Sequence, residues 1–299
     1  MKSNYRYIVK AFMAMAVIAG TTSCDDFLDR EPMSSISPET YYSTAAQLEA
    51  NLNDEYPNVL PSFGQWTYGI FGEDKGTDNQ IEVNANDRYT QDRWKVPHSE
   101  SDNWKFERIY RINFFLSEAL PKFGEDMSGS QNTISGSVAT IKHYIGEMYF
   151  LRAYEYFKKL QLFGDFPIIN QPLADEMEAL REASKRFPRN EVARFIISDL
   201  DKAYAYMSDV DMATTRINKD VAMLVKSRVA LFEATWLQNF KGTAFVPGGE
   251  GWPGASLHNN YQYPSGNIDN EVKYFLEQAV EASKLVADKY KGNLTENTG

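Results

Sequence analysis

The stretch "TIKHYIGEMYFLRAYEYFKKLQLFG", Thr140 to Gly164, decides the fold. Ile141, Ile145 and Met148 follow one side of a helical wheel, and Phe150, Tyr154 and Phe157 follow another. A helix that is apolar nearly all round must lie between neighbours. The segment therefore predicts a central helix in a multi-helix body, with Gly164 as its C-cap.

The neighbours are legible on both sides. Downstream, "RNEVARFIISDLDKAYAYM" carries Val192, Ile196, Leu200, Ala203 and Met207 at helical spacing, with Asn190 as the expected N-cap. "NKDVAMLVKSRVALFEATWLQNF" repeats a stripe through Val221, Val225, Arg228, Phe232 and Trp236. Arg228 on that stripe is expected to snorkel or to meet a carboxylate. "NEVKYFLEQAVEASKLVADKY" gives Val272, Phe275, Ala279, Ala282 and Val286. Upstream, "DNWKFERIYRINFFLSEAL" runs helically to Pro121. Pro38 fits a first-turn position, and Thr44 with Gln47 has capping-box spacing ahead of a helix that Pro57 and Pro61 should end. These readings give a mostly α chain of six helices in antiparallel pairs, a TPR-like stack without a strict 34-residue consensus. Two long intervals rich in Gly, Pro, Asn and aromatics, 58–100 and 241–269, interrupt it. Irregular loops on a rigid frame are where binding function concentrates.

The N-terminus reads differently. Lys2, Arg6 and Lys10 precede a short apolar run, Ala11–Ala19, and small residues follow up to Ser23. That is the layout of an export signal over residues 1–23, and the run is too short for a spanning helix of about 20 residues. The only cysteine, Cys24, stands directly after it. A lipoprotein signal explains that position: cleavage before Cys24 leaves its sulfur to carry lipid, and several acyl chains make a firm anchor. Thr21 departs from the stricter lipobox, and an ordinary signal beside a free cysteine is the alternative. Residues 24–40 read as a tether, and 41–299 as the helical domain.

Composition narrows the function. One cysteine permits no internal disulfide, so the exported chain must rest on its core. His98, His143 and His258 are far apart and offer no zinc-type spacing, so neither a metal nor any cofactor is expected. "GEDKGTDNQ" has spaced acids but not the EF-hand pattern, and reads as a solvated loop. The formal charge is −10, and loss of the three basic groups before Ser23 takes it to −13. Such a surface argues against nucleic acid and against docking on anionic lipid. Glu155 with Lys159 reads as an ordinary i, i+4 pair.

Four segments carry a family resemblance. "SCDDFLDREP" (23–32), "GEMYFLRAYEYFKKLQLFGDFPII" (146–169), "FPRNEVARFIISDLDKAY" (187–204) and "RINKDVAMLVKSRVALFEATW" (216–236) occur in the order and spacing of SusD/RagB nutrient-binding lipoproteins, which the chain resembles over essentially its whole length. The resemblance implies a SusD-like α-superhelix of TPR-like pairs and no enzyme activity. It implies an outer-membrane lipoprotein at the cell surface, with Cys24 as lipid anchor and Asp25 and Asp26 as the surface-export signal. It implies a SusC-like TonB-dependent transporter as partner, and an oligosaccharide or polysaccharide as ligand. A peptide is the ligand in some branches. Family members are usually much longer, so the chain resembles the N-terminal part of the usual fold, without its C-terminal part.

Sugars offer CH faces, which stack on Trp or Tyr, and hydroxyls, which pair with polar groups. The loop candidates are Trp66, Tyr68, Trp94, Trp252, Tyr261 and Tyr263, with Asp78, Asn79 and Arg93 as polar partners. Trp104 and Trp236 fall on helical stretches and read as core. Three other classes are weighed against glycan capture: peptide capture, a surface glycoside hydrolase built on a carboxylate pair, and a purely structural lipoprotein.

Overall fold

The computed structural model describes residues 41–61, 80, 103–124, 126–208, 212–213 and 215–293. The signal, Cys24, Asp25, Asp26, the "GEDKGTDNQ" segment apart from Gln80, His98 and the loop candidates Trp66, Tyr68, Asp78, Asn79, Arg93 and Trp94 lie outside them.

Among the described residues there are seven α-helices and no named strand: α1 (Ala45–Val59), α2 (Glu107–Phe123), α3 (Val138–Phe163), α4 (Met177–Ala183), α5 (Arg189–Tyr206), α6 (Lys219–Asn239) and α7 (Ile268–Tyr290). The short α4 is the one the periodicity did not predict. Its seven residues bury nothing, so no stripe marks it. The Tyr42–Gly299 part of the chain forms one compact unit.

Helix α3 is the axis of that unit. It buries Ile141, Ile145, Met148, Phe150 and Phe157 on several sides because α1, α2 and α5 all pack on it. Pairing directions follow from end-to-end contacts. Arg189, at the start of α5, faces Gly164 at the end of α3, and Ser208 N–H donates to His143 Nδ1 near the start of α3 at 3.3 Å, so the two helices are antiparallel. Ser227 Oγ donates to Ala279 O, Lys289 pairs with Asp220 and Lys241 with Asp269, so α6 and α7 are antiparallel as well. α1 instead runs parallel to α3: Thr44 bridges Ser135, and Lys158 Nζ donates to Val59 O.

Local signals explain most boundaries. Thr44 Oγ1 accepts from Gln47 N–H while Gln47 Oε1 accepts from Thr44 N–H, which satisfies two free donors at the start of α1. Gly164 ends α3 with φ 68°, a left-handed conformation suited to glycine. The stripe of α5 holds, since Val192, Ile196, Leu200, Ala203 and Met207 are all buried.

Several expectations are corrected. Pro57 lies inside α1, which runs on to Val59, and Pro121 lies inside α2. Each proline sits in the last turn, where the missing N–H costs one bond. Asn190 is not the cap of α5, which begins at Arg189 after Pro188; its side chain bonds Tyr261 and Glu271 instead. In α6 the predicted stripe is displaced: Val221 and Arg228 are exposed, and the buried face is Ala222, Met223, Lys226, Val229, Ala230, Glu233, Ala234 and Leu237. α6 packs between α5 and α7, and the alanines permit close approach, so small residues take the core positions that size alone would give to leucine. Glu155 and Lys159 do pair, at 3.4 Å, but both are buried, and Lys159 Nζ also donates to Asn103 O.

The core contains charge that periodicity does not predict. Arg152 on α3 binds Asp199 on α5, Arg189 on α5 binds Glu233 on α6, and Arg194 on α5 binds Glu271 on α7. Arg216 ahead of α6 binds Glu147 on α3. Each carboxylate is fully buried, and each arginine brings the planar pair of donors that a buried carboxylate needs. These pairs tie separate helical segments together and fix their relative register.

Candidate functional site

The signature "LFGDF" ends α3 and opens the site. Asp165 follows the Gly164 turn. Its Oδ1 accepts from Arg189 N–H at 2.9 Å, which supplies the cap that Pro188 cannot give to α5. Its Oδ2 accepts from Trp252 Nε1–H at 2.8 Å, across 87 residues. Burial pushes the Asp165 carboxyl above its ordinary value, and the bonds from Trp252 and Arg189 offset this only in part. Phe166 is fully buried and pairs its backbone with Phe187. It anchors an aromatic cluster of Trp104, Phe106, Phe163 and Tyr156 with ring centroids 4.9–6.0 Å from its own. Trp104 thus packs in the segment ahead of α2 rather than on a helix.

Arg189 is 3% exposed. Nε and Nη2 hold both oxygens of Glu233 at 3.0–3.2 Å, and the guanidinium lies 4.0 Å from the ring centroid of Trp236. Trp236 donates from Nε1 to Phe245 O. It is half-buried beside an opening rather than in the core. Burial pushes the Glu233 carboxyl up, and the Arg189 charge beside it works in the opposite direction.

These groups surround a cleft of about 460 Å³, a size within the usual range for ligand pockets. The end of α3 (Leu162, Phe163, Gly164), Trp236 of α6 and the 241–269 loop (Phe245, Trp252, Leu257) form its walls, with Arg186 and Arg189 on the α5 side. Arg186 lies over Trp104 at 4.6 Å.

Three predicted loop residues come together beside this cleft. Trp252, Tyr261 and Tyr263 form a chain of ring contacts at 5.6 and 5.2 Å, and His258 stacks on Trp252. Their polar ends are already engaged: Trp252 with Asp165, Tyr261 O–H with Asn190 Oδ1 at 3.1 Å, and Tyr263 O–H with Pro247 O at 2.6 Å. Burial pushes both phenols up, which keeps them neutral donors. Trp252 is only 5% exposed and Phe245 is 61% exposed, so the accessible ring at this mouth is one that sequence reasoning did not single out. Arg186, Arg189 and Asp165 are further wall residues that sequence reasoning did not single out, although two of the quoted family segments contain Asp165 and Arg189. His143 is a buried core histidine, with Nε2 3.0 Å from Ile217 O. Among the described residues, no group of three or more His, Cys, Asp or Glu could hold a metal, and no helix is long and apolar enough to cross a membrane.

A stack of paired helices thus carries a loop-lined cleft, with Arg189 of its wall bonded to Glu233 behind it. The chain belongs to the SusD-like family described as starch-binding and associating with the outer membrane, whose model matches residues 26–231. Two similar curated relatives are from Formosa agariphila. SusD-like protein P2 is 25% identical over 81% of this chain and 46% of its own length. SusD-like protein P25 is 25% identical over 72% of this chain and 41% of its own. This chain therefore spans less than half the length of either. A SusD-like carbohydrate binding protein from Bacteroides vulgatus superposes with a TM-score of 0.49 at 14% identity, covering 86% of this chain and 47% of that one.

Proposed function

We propose that this protein is a surface glycan-binding lipoprotein that captures oligosaccharides and passes them to a TonB-dependent, SusC-like outer-membrane transporter. It binds without turnover. The observation that carries the reading is the family match over residues 26–231, which includes the whole first loop interval, 58–100. The export signal, Cys24 and the Asp25–Asp26 pair support lipid anchoring at the outer membrane with the body facing outward.

In this reading the ligand stacks on Trp66, Tyr68 and Trp94, and its hydroxyls meet Asp78, Asn79 and Arg93. Trp252, Tyr261 and Tyr263 contribute from the second loop. The polar ends of these three are bonded within the protein, so their share of ligand contact comes from the rings. Stacking and hydroxyl pairing need no tuned pKa, in keeping with capture rather than catalysis.

Affinity gel electrophoresis of residues 25–299 against a panel of polysaccharides tests this, with circular dichroism to confirm helicity. Retardation by a glycan that is lost in Trp66→Ala or Trp94→Ala is the expected result. A folded sample that no polysaccharide retards, or retardation unchanged in both variants, contradicts it.

A further inference from the structure

Glu155, Lys158 and Lys159 of α3 do more than pair with one another. Lys158 Nζ donates to Val59 O at 2.9 Å, and Lys159 Nζ donates to Asn103 O at 2.7 Å. Val59 closes α1, and Asn103 belongs to the segment that leads into α2. The two acceptors therefore stand at the two ends of the first loop interval. Two adjacent lysines on the central helix hold the chain where it leaves the helical frame and where it returns.

Local rules account for one of these bonds only. The last carbonyls of a helix lack intrahelical partners, and a lysine commonly caps them. Val59 O is such a carbonyl. Asn103 O is not, because α2 begins at Glu107. Lys159 is 6% exposed, and a buried ammonium is costly unless a carboxylate balances it. Glu155, itself 3% exposed, does so for both lysines. Its Oε1 lies 3.4 Å from Lys159 Nζ, its Oε2 lies 2.6 Å from Lys158 Nζ, and Arg108 of α2 is 3.8 Å from Oε2. The other carboxylates buried between helices are held by arginines, which match them as planar forks. Here the partner is lysine, whose compact ammonium has three donors and serves a carboxylate and a carbonyl at once.

We propose that Glu155, Lys158 and Lys159 form a clamp that fixes both ends of the first interval against α3 and so positions the ligand-contacting residues carried between them. They are positioning residues and touch no ligand themselves. A site held by a buried second layer on a rigid helix keeps its geometry better than one held by its own loop. The proposal rests on the glycan reading for what the interval binds, and on the hydrogen bonds alone for the clamp.

The test compares the full chain with Lys158→Met, Lys159→Met and Lys226→Met. Lys226 is also buried and pairs with Asp201 between α5 and α6, so its loss weakens the frame away from the clamp. Two readouts are taken where circular dichroism shows the variants folded. One is backbone hydrogen exchange over residues 54–61 and 103–110. The other is affinity gel electrophoresis in soluble starch, laminarin, xylan and mannan. Lys158→Met should speed exchange over 54–61, and Lys159→Met over 103–110, each about tenfold. Both should weaken retardation about tenfold, and Lys226→Met should change neither readout. If Lys159→Met misfolds, the more exposed Lys158→Met decides. If none of the four polysaccharides retards the wild type, the glycan reading fails for them and exchange alone judges the clamp. The clamp is overturned if exchange at the two ends is unchanged in its variants, if retardation survives undiminished in them, or if Lys226→Met matches them in either readout.

Discussion

Arg152 donates from Nε and Nη2 to the two oxygens of Asp199 at 2.6 and 2.8 Å, joining α3 to α5 at a point where both side chains are buried. Its Nη1 reaches Asn113 Oδ1 on α2 and the carbonyl of Asn170, so one guanidinium ties three segments together. The arginine of the "LRAYEYF" signature is thus a framework residue. Asp199→Ala would leave its charge buried and unpaired, at a cost of about 3–5 kcal/mol. Arg152→Met with Asp199→Leu should cost less than the sum of the single changes. Urea unfolding midpoints of the four proteins measure that difference, and strict additivity would contradict the account.

Two carboxyls, the buried Glu271 and the half-buried Asp165, should bend the pH–stability curve in opposite senses. Burial pushes Glu271 up, but hydrogen bonds from Arg194, Asn190 and Ser265 outweigh it and hold the group below its ordinary value of 4.5. A lowered folded-state pKa means that Glu271 stabilises above 4.5 and loses that contribution as pH falls through its depressed value. Asp165 is shifted upward from 3.8 by burial. Its contribution is greatest below 3.8 and declines as pH rises through its elevated value. Relative to wild type, Glu271→Gln should therefore lose least at acid pH, and Asp165→Asn should lose least at neutral pH. Chemical denaturation over a pH series reads both slopes, and slopes of the same sign would sink the assignment.

Gly146→Ala sets helix propensity against packing. An alanine inside α3 would gain about 1 kcal/mol from propensity alone. Its Cβ would stand 2.8 Å from the backbone nitrogen of Met207 and 2.9 Å from the carbonyl of Ala203, neither of which is a flexible side chain. Overpacking of this kind costs about 1–3 kcal/mol. Packing should win, with a fall of a few degrees in Tm by calorimetry; a rise would mean that α3 and α5 separate easily.

The start of α7 depends on one side chain. Asn267 Oδ1 accepts from Asn270 N–H at 2.9 Å. Asn267→Ala should cost about 1 kcal/mol, while Asn267→Asp should be neutral or better because a negative charge suits a helix N-terminus. Thermal melts of the two variants compare them directly, and equal losses would argue against the cap.

The α5 and α7 stripes, the Thr44–Gln47 box and the Gly164 turn are local, because each depends on residues within a turn or two of one another. Periodicity and capping rules read such features, and they were enough for the mostly helical class. The Arg-Ala-Tyr and Gly-Asp segments added the family. The displaced face of α6 was not legible, because alanine becomes a core residue only when two neighbouring helices approach closely.

The cleft was hidden for a related reason. Asp165 meets Trp252 across 87 residues, and Arg189 meets Glu233 across 44. No spacing rule encodes such partners. Trp252 looked available in sequence because an indole in a glycine-rich loop is ordinarily exposed, and the fold spent its N–H on Asp165. The sequence by itself determined which segments are helices, where several begin and end, and which family the chain resembles. Only the tertiary structure decided which charged groups neutralise one another, which aromatic faces stay open and which carbonyls Lys158 and Lys159 reach, because those depend on distances between helices rather than along one.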